Sequence, residues 1–137
     1  MAKKEENTVS NYSATIIESS RELTAKERVM YKDLGNALSM VDYAKQCAEE
    51  GGKAIIDFKD YVIINIHNEK AEDVDYTNYL LIDRTGNKYY TGSQSFWNAF
   101  LNIYNEMKDE TEEWGIELNL LPSKNYKGKE ILHCSLV

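Results

Sequence analysis

The chain is 137 residues long, 42% apolar, and carries a formal net charge of −7. That length suits one domain with a single core, and the apolar fraction excludes a disordered chain. The acidity excludes a protein that coats nucleic acid through overall basicity, but leaves room for a local basic groove. Cys47 and Cys134, the two cysteines, lie far apart in unlike contexts, so no zinc or other metal site and no cofactor are expected. The start, Met1-Ala-Lys-Lys-Glu-Glu-Asn7, lacks the apolar core of a leader, and no apolar run is long enough for a membrane span. A cytoplasmic protein without a membrane partner is the expectation. Tyrosine outnumbers phenylalanine, ten to three, which suits rings that meet water at one end.

Residues 1–10 are charged and polar and read as a flexible tail. Asn11 to Ser19 alternates as an early strand. Leu23 to Leu34 reads as a helix, with Thr24 and Glu27 spaced as a capping box and Gly35 as its stop. A second helix is expected from Ser39 or Met40 to Glu50, ended by Gly51-Gly52, and the link between the two could be a short extended piece. From Lys53 the period changes. Ala54 to Phe58 and Tyr61 to His67 are two strands or one bent strand, with Val62, Ile64 and Ile66 on one face. After a polar loop, Tyr76 to Asp83 is a strand, Arg84 to Asn87 a tight turn, and Lys88 to Tyr90 or Thr91 the returning strand.

The most legible helix follows. Ser93 can cap it, and Phe96, Ala99, Phe100, Ile103 and Met107 recur at helical spacing opposite Asn98, Asn102, Asn105 and Glu106. An acidic link leads to the alternating strand Trp114 to Leu120, a loop from Pro122 to Lys129, and a last strand from Glu130 to Val137. From Tyr61 the order is three strands, a helix and two strands. This is the element order of the OB-fold, a small Greek-key barrel, although a generic α+β sandwich has the same ingredients. The expected class is therefore α+β, mainly β: a five-stranded OB-fold-like barrel over 53–137, with a strand and helical extension over 11–52, in one domain.

The loop Pro122 to Lys129 gathers Lys124, Lys127 and Lys129 with Tyr126 and no acid, the one concentrated positive segment of an acidic chain. Lysines there could neutralise phosphates while Tyr126 stacks on a base, for about 1–3 kcal/mol per base. A solvated hairpin carrying lysines for solubility fits the same residues equally well. Tyr79 and Tyr89 or Tyr90, with Arg84 and Lys88 beside them, could extend such a groove along the strands, though a tyrosine at a core edge is the commoner role. Trp97 and Trp114 read as core. His67 and His133 have no nucleophile or metal partner at recognisable spacing, and Glu72, Asp73 and Asp75 lack calcium-loop spacing. No phosphate loop or dinucleotide motif is present, so the chain does not read as an enzyme.

Several short motifs carry a resemblance. His67-Asn-Glu-Lys70, Asp75-Tyr76 with Asn78-Tyr79, Tyr90-Thr-Gly-Ser93 with Ser95-Phe96-Trp97, and Pro122 to Lys129 followed by Cys134-Ser-Leu136 are similar to small single-stranded DNA-binding proteins of bacteriophages and mobile elements in Gram-positive bacteria. The resemblance spans about Leu23 to Val137. It implies an OB-like, sequence-tolerant binder that protects single strands in phage replication or recombination, in the host cytoplasm, alongside replication or recombination proteins. Such binders often pair through strand edges, so a homo-oligomer fits, without its order being fixed. One departure is the apolar end, Leu136-Val137, where many cellular single-strand binders carry an acidic recruiting tail. The alternative is a phage protein-binding module that inhibits or recruits a host factor through its acidic surface.

Overall fold

The computed structural model describes residues 12–124 and 127–137. Its strands are β1 (Tyr12–Ser19), β2 (Leu38–Ser39), β3 (Ala54–Asn68), β4 (Asp75–Asp83), β5 (Lys88–Thr91), β6 (Gly115–Pro122) and β7 (Glu130–Leu136). Its helices are α1 (Ala25–Lys32), α2 (Met40–Glu49) and α3 (Gln94–Met107). The architecture is α+β and mainly β, with the strands in a curled, open sheet that forms half a barrel. Hydrogen-bonded neighbours run β2-β5-β4-β3-β6-β7, and β1 joins β3 off this path.

Of the two readings of Ala54 to His67, the single bent strand is the one observed, with a register shift between Phe58 and Asp60. The shift bends β3, so its two halves serve different neighbours. Ala54–Asp57 pairs with β6, while the half from Val62 onward carries β4 on one edge and β1 on the other. Gly115 sits where β3 and β6 approach most closely. A Cβ there would lie 2.7 Å from the Ile56 carbonyl oxygen, so only glycine fits without moving a strand.

Alternation along β3 divides the interior. Tyr61 faces a core with Tyr79, Leu81, Tyr89, Ile116 and Leu118, against which α3 places Phe96, Trp97 and Phe100. Ser93 caps α3 as expected, accepting from the Phe96 amide at 3.1 Å. Val62, Ile64 and Ile66 face the opposite side with Leu80 and Ile82. That side is covered by Leu23, Tyr31, Leu34 and Ala37 of the N-terminal extension. The central sheet is thus buried on both faces. The first helix is shorter than its sequence pattern. Thr24 and Glu27 close the reciprocal capping box outside Ala25, and the helix stops at Lys32 because Asp33 turns extended and caps a 3-10 turn over Leu34–Asn36. After Ala37, Leu38 and Ser39 form β2, parallel to β5.

The extension is fastened at the bend. Asp60 shares the face of Val62 and Ile64, and is only 2% exposed. Arg21 meets it with two hydrogen bonds of 2.9 Å, and the Tyr31 hydroxyl donates at 3.0 Å. Burial and the Asp60 carboxylate push the Tyr31 phenol up to about 12. Arg21 also pairs with Glu27, and that pairing holds the Glu27 carboxyl down to about 2.

Arg21→Ala leaves the Asp60 charge buried without its cation, a change that typically costs 3–5 kcal/mol. Arg21 is 42% exposed and water can enter after it, so a loss of about 3 kcal/mol is expected in urea unfolding. A loss below about 1 kcal/mol would mean that the extension is fastened elsewhere. The Glu27 pairing stabilises the fold above pH 4.5, the ordinary value of that carboxyl, and is lost as pH falls toward about 2. Acid melting curves of wild type and Glu27→Gln are expected to differ at pH 6 and converge toward pH 2.

Candidate nucleic-acid interface

The basic loop is the hairpin between β6 and β7. The Ser123 amide donates to the Lys129 carbonyl at 2.8 Å, and Gly128 takes the left-handed conformation (φ +77°) that lets the chain return. Lys124, Lys127 and Lys129 are all exposed at this end of the sheet. Tyr126, the expected stacking ring, lies outside the described residues.

The strand residues expected beside them are placed differently. Tyr79 is 8% exposed, its ring stacked on Trp97 at 4.8 Å and 15°. Tyr89 is 6% exposed, packed against Tyr43 at 4.9 Å with its hydroxyl donating to Asp83. Burial and then the Asp83 charge raise its pKa. Neither ring offers a free face to a base. Lys88 is buried and donates to the carbonyls of Met30 and Asp33, so its ammonium serves as a cation at the C-terminal end of α1. Burial lowers its pKa, opposed by Asp33. Arg84 pairs with Asp57 at 3.2 Å and Glu113 at 3.0 Å and donates to the Trp114 carbonyl. Two carboxylates thus neutralise it. The strand face that would have joined these four residues to the loop is covered, because β4 and β5 are packed on both sides.

The structure brings other groups to the loop. A cleft of about 420 Å³ opens between α2 and β6, bordered by Leu120 and Glu130 at the base of the basic hairpin. Ala44, Ala48 and Ala54 give it a small-residue apolar floor, and Lys45 and Lys53 stand on its rim. Sequence reading treats Ala44 as one residue of an apolar stripe. The signal for a cleft was the alanine pair one helical turn apart, followed by Gly51-Gly52, which leaves space beside α2.

Of the titratable groups elsewhere, the half-buried His67 lies between Asp75 at 2.8 Å and Glu69 at 3.3 Å, and these hydrogen bonds raise its pKa. Cys134 is buried, which pushes its thiol up to about 12. Among the described residues, no cluster of three or more His, Cys, Asp or Glu is disposed to hold a metal ion. No helix among them is long and apolar enough to cross a membrane. Compared with protein-family models, curated proteins and solved structures, the chain matches none.

Tyr79→Ala is expected to lower stability by about 3 kcal/mol in urea, because it opens a cavity against Trp97. A Tyr79→Ala protein with unchanged stability would show that the ring is dispensable to the core.

Proposed function

We propose that the protein is a non-enzymatic, sequence-tolerant binder of single-stranded DNA, with Lys124, Lys127 and Lys129 meeting phosphates and Tyr126 stacking on a base. The observation that carries this reading is the three exposed lysines on one hairpin of a chain whose net charge is −7. Lys45 and Lys53 of the α2 cleft lie near this hairpin, beside Glu49, Glu117 and Glu130, so the positive charge that supports the reading is that of the hairpin.

The pairing of the strands supports it. β3, β4 and β5 form an antiparallel meander, α3 follows, and β6 then returns to β3 and carries β7. This order agrees with that of an OB-fold, in which the loop joining the last two strands borders the ligand. We read the 53–137 part as an OB-like unit left open, with β2 on the edge of β5. The role implied by the resemblance, protection of single strands in phage replication or recombination, is part of the proposal.

A second reading, a protein-binding module, is favoured by the acidic link between α3 and β6. Asp109, Glu110, Glu112 and Glu113 are all exposed there, on a surface suited to a basic protein. Under that reading, neutralising the loop lysines leaves partner binding intact.

Fluorescence anisotropy of labelled oligo-dT separates the two. The first reading expects affinity that falls as salt rises. Changing Lys124, Lys127 and Lys129 to Ala should weaken binding and flatten the log–log salt slope by about 2, at roughly 0.7 for each phosphate no longer neutralised. An absence of binding at low salt would sink the nucleic-acid reading and leave the acidic surface as the working one.

A further inference from the structure

We infer that the cleft between α2 and β6 holds one nucleobase of the bound strand, its polar edge paired with the main chain of Leu120. This rests on the single-strand reading above and adds to it a site away from the hairpin itself.

The inference begins with the hydrogen-bond register of β6. The Val137 amide donates to the Gly115 carbonyl and the Ser123 amide to the Lys129 carbonyl, so odd-numbered residues of β6 direct their main-chain groups at β7. Even-numbered residues face the other way. There the Phe58 amide reaches the Trp114 carbonyl, and pairing with β3 continues to Ala54 opposite Leu118. The next position in register would set Gly52 opposite Leu120. Gly52 instead turns its amide to the Cys47 carbonyl at the end of α2. The N–H and C=O of Leu120 are therefore directed past the end of β3, toward the cleft that Leu120 lines.

An adjacent donor and acceptor at the edge of an apolar slot fit a nucleobase. Every base presents a neighbouring donor and acceptor on its Watson–Crick edge, so pairing with one residue's main chain is tolerant of sequence. The floor of Ala44, Ala48 and Ala54 is flat enough in side-chain bulk to receive a ring face, and about 420 Å³ lies within the usual range of small-ligand sites. An extended peptide fits less well. It needs successive open residues along the edge, and the next residue facing this way is Pro122, which has no N–H to donate.

The rim carries two amines that can meet the backbone of such a strand. Lys45 and Lys53 border the slot, and the hairpin with Lys124, Lys127 and Lys129 leaves directly from it. Glu49, Glu117 and Glu130 also stand on the rim, yet none of the three forms an ion pair with Lys45 or Lys53 among the described residues. These two amines stay available to phosphate, and the carboxylates disfavour a second phosphate inside the slot.

The test compares wild type with Ala48→Phe, an exposed position on α2 whose new ring would fill the slot. Two labelled strands are titrated at low salt: oligo-dT, and an abasic strand of equal length with the same phosphates. The inference expects Ala48→Phe to bind oligo-dT at least tenfold more weakly, to bind the abasic strand like wild type, and to melt at an unchanged temperature. Ala48→Leu serves in its place if the Phe variant melts early. Equal binding of oligo-dT by wild type and the slot-filled variant would overturn the inference while leaving the single-strand reading intact, and would return the cleft to another occupant such as a peptide. Equal losses on both strands would also overturn it, since the effect would not depend on a base. Absence of binding by wild type to either strand would remove both.

Discussion

The carboxylate of Asp60 is the point on which the arrangement of the chain turns. A charge buried in a sheet is costly unless its partners are close and well directed. Here the bend of β3 presents it, and Arg21, Tyr31 and Ser20, all from the N-terminal extension, supply the donors. The segment that satisfies the charge also covers Val62, Ile64 and Ile66. Electrostatic need and apolar burial therefore act on the same segment, and neither side of the central sheet is left to solvent. The extension is an integral layer of the domain.

That layering decides where a ligand can meet the protein. With β4 and β5 packed on both faces, the rings and cations along them are used internally: Tyr79 on Trp97, Tyr89 on Asp83, Lys88 on the end of α1. A concave region with exposed lysines beside it lies at the far end of β6, where β3 stops short and the basic hairpin begins. In the reading proposed above, binding chemistry is displaced from the sheet's surface to its end, and main-chain groups left over by unequal strand lengths are part of it.

The periodic elements were legible because each is set by local signals. The α3 cap and stripe, the Thr24 and Glu27 box, and the alternation of Val62, Ile64 and Ile66 need only a few neighbouring residues to be recognised. The bend at Asp60 was visible as a break in an apolar run, but whether it divided two strands depended on distant partners. The tyrosines were illegible for a different reason. A phenol suits a wet platform and a core edge alike, and only the placement of Trp97 and Asp83 assigns Tyr79 and Tyr89 to the interior. Arg84 and Lys88 likewise read as surface cations until Glu113 and the end of α1, far off in sequence, are brought beside them. The hairpin lysines are exposed as their sequence context suggests, since a polar turn at the end of two strands projects away from the core.

The two-residue strand β2 has an effect out of proportion to its length. By lying parallel on β5, Leu38 and Ser39 occupy the edge at which a curled sheet would otherwise close or remain bare. A bare edge is a template on which a strand from another chain can add, the first step of runaway association between copies. At the β5 edge the protein blocks that step with a segment already tethered by α1 on one side and α2 on the other. Resistance to strand addition at this edge is thereby written into the main-chain path and does not depend on surface charge alone.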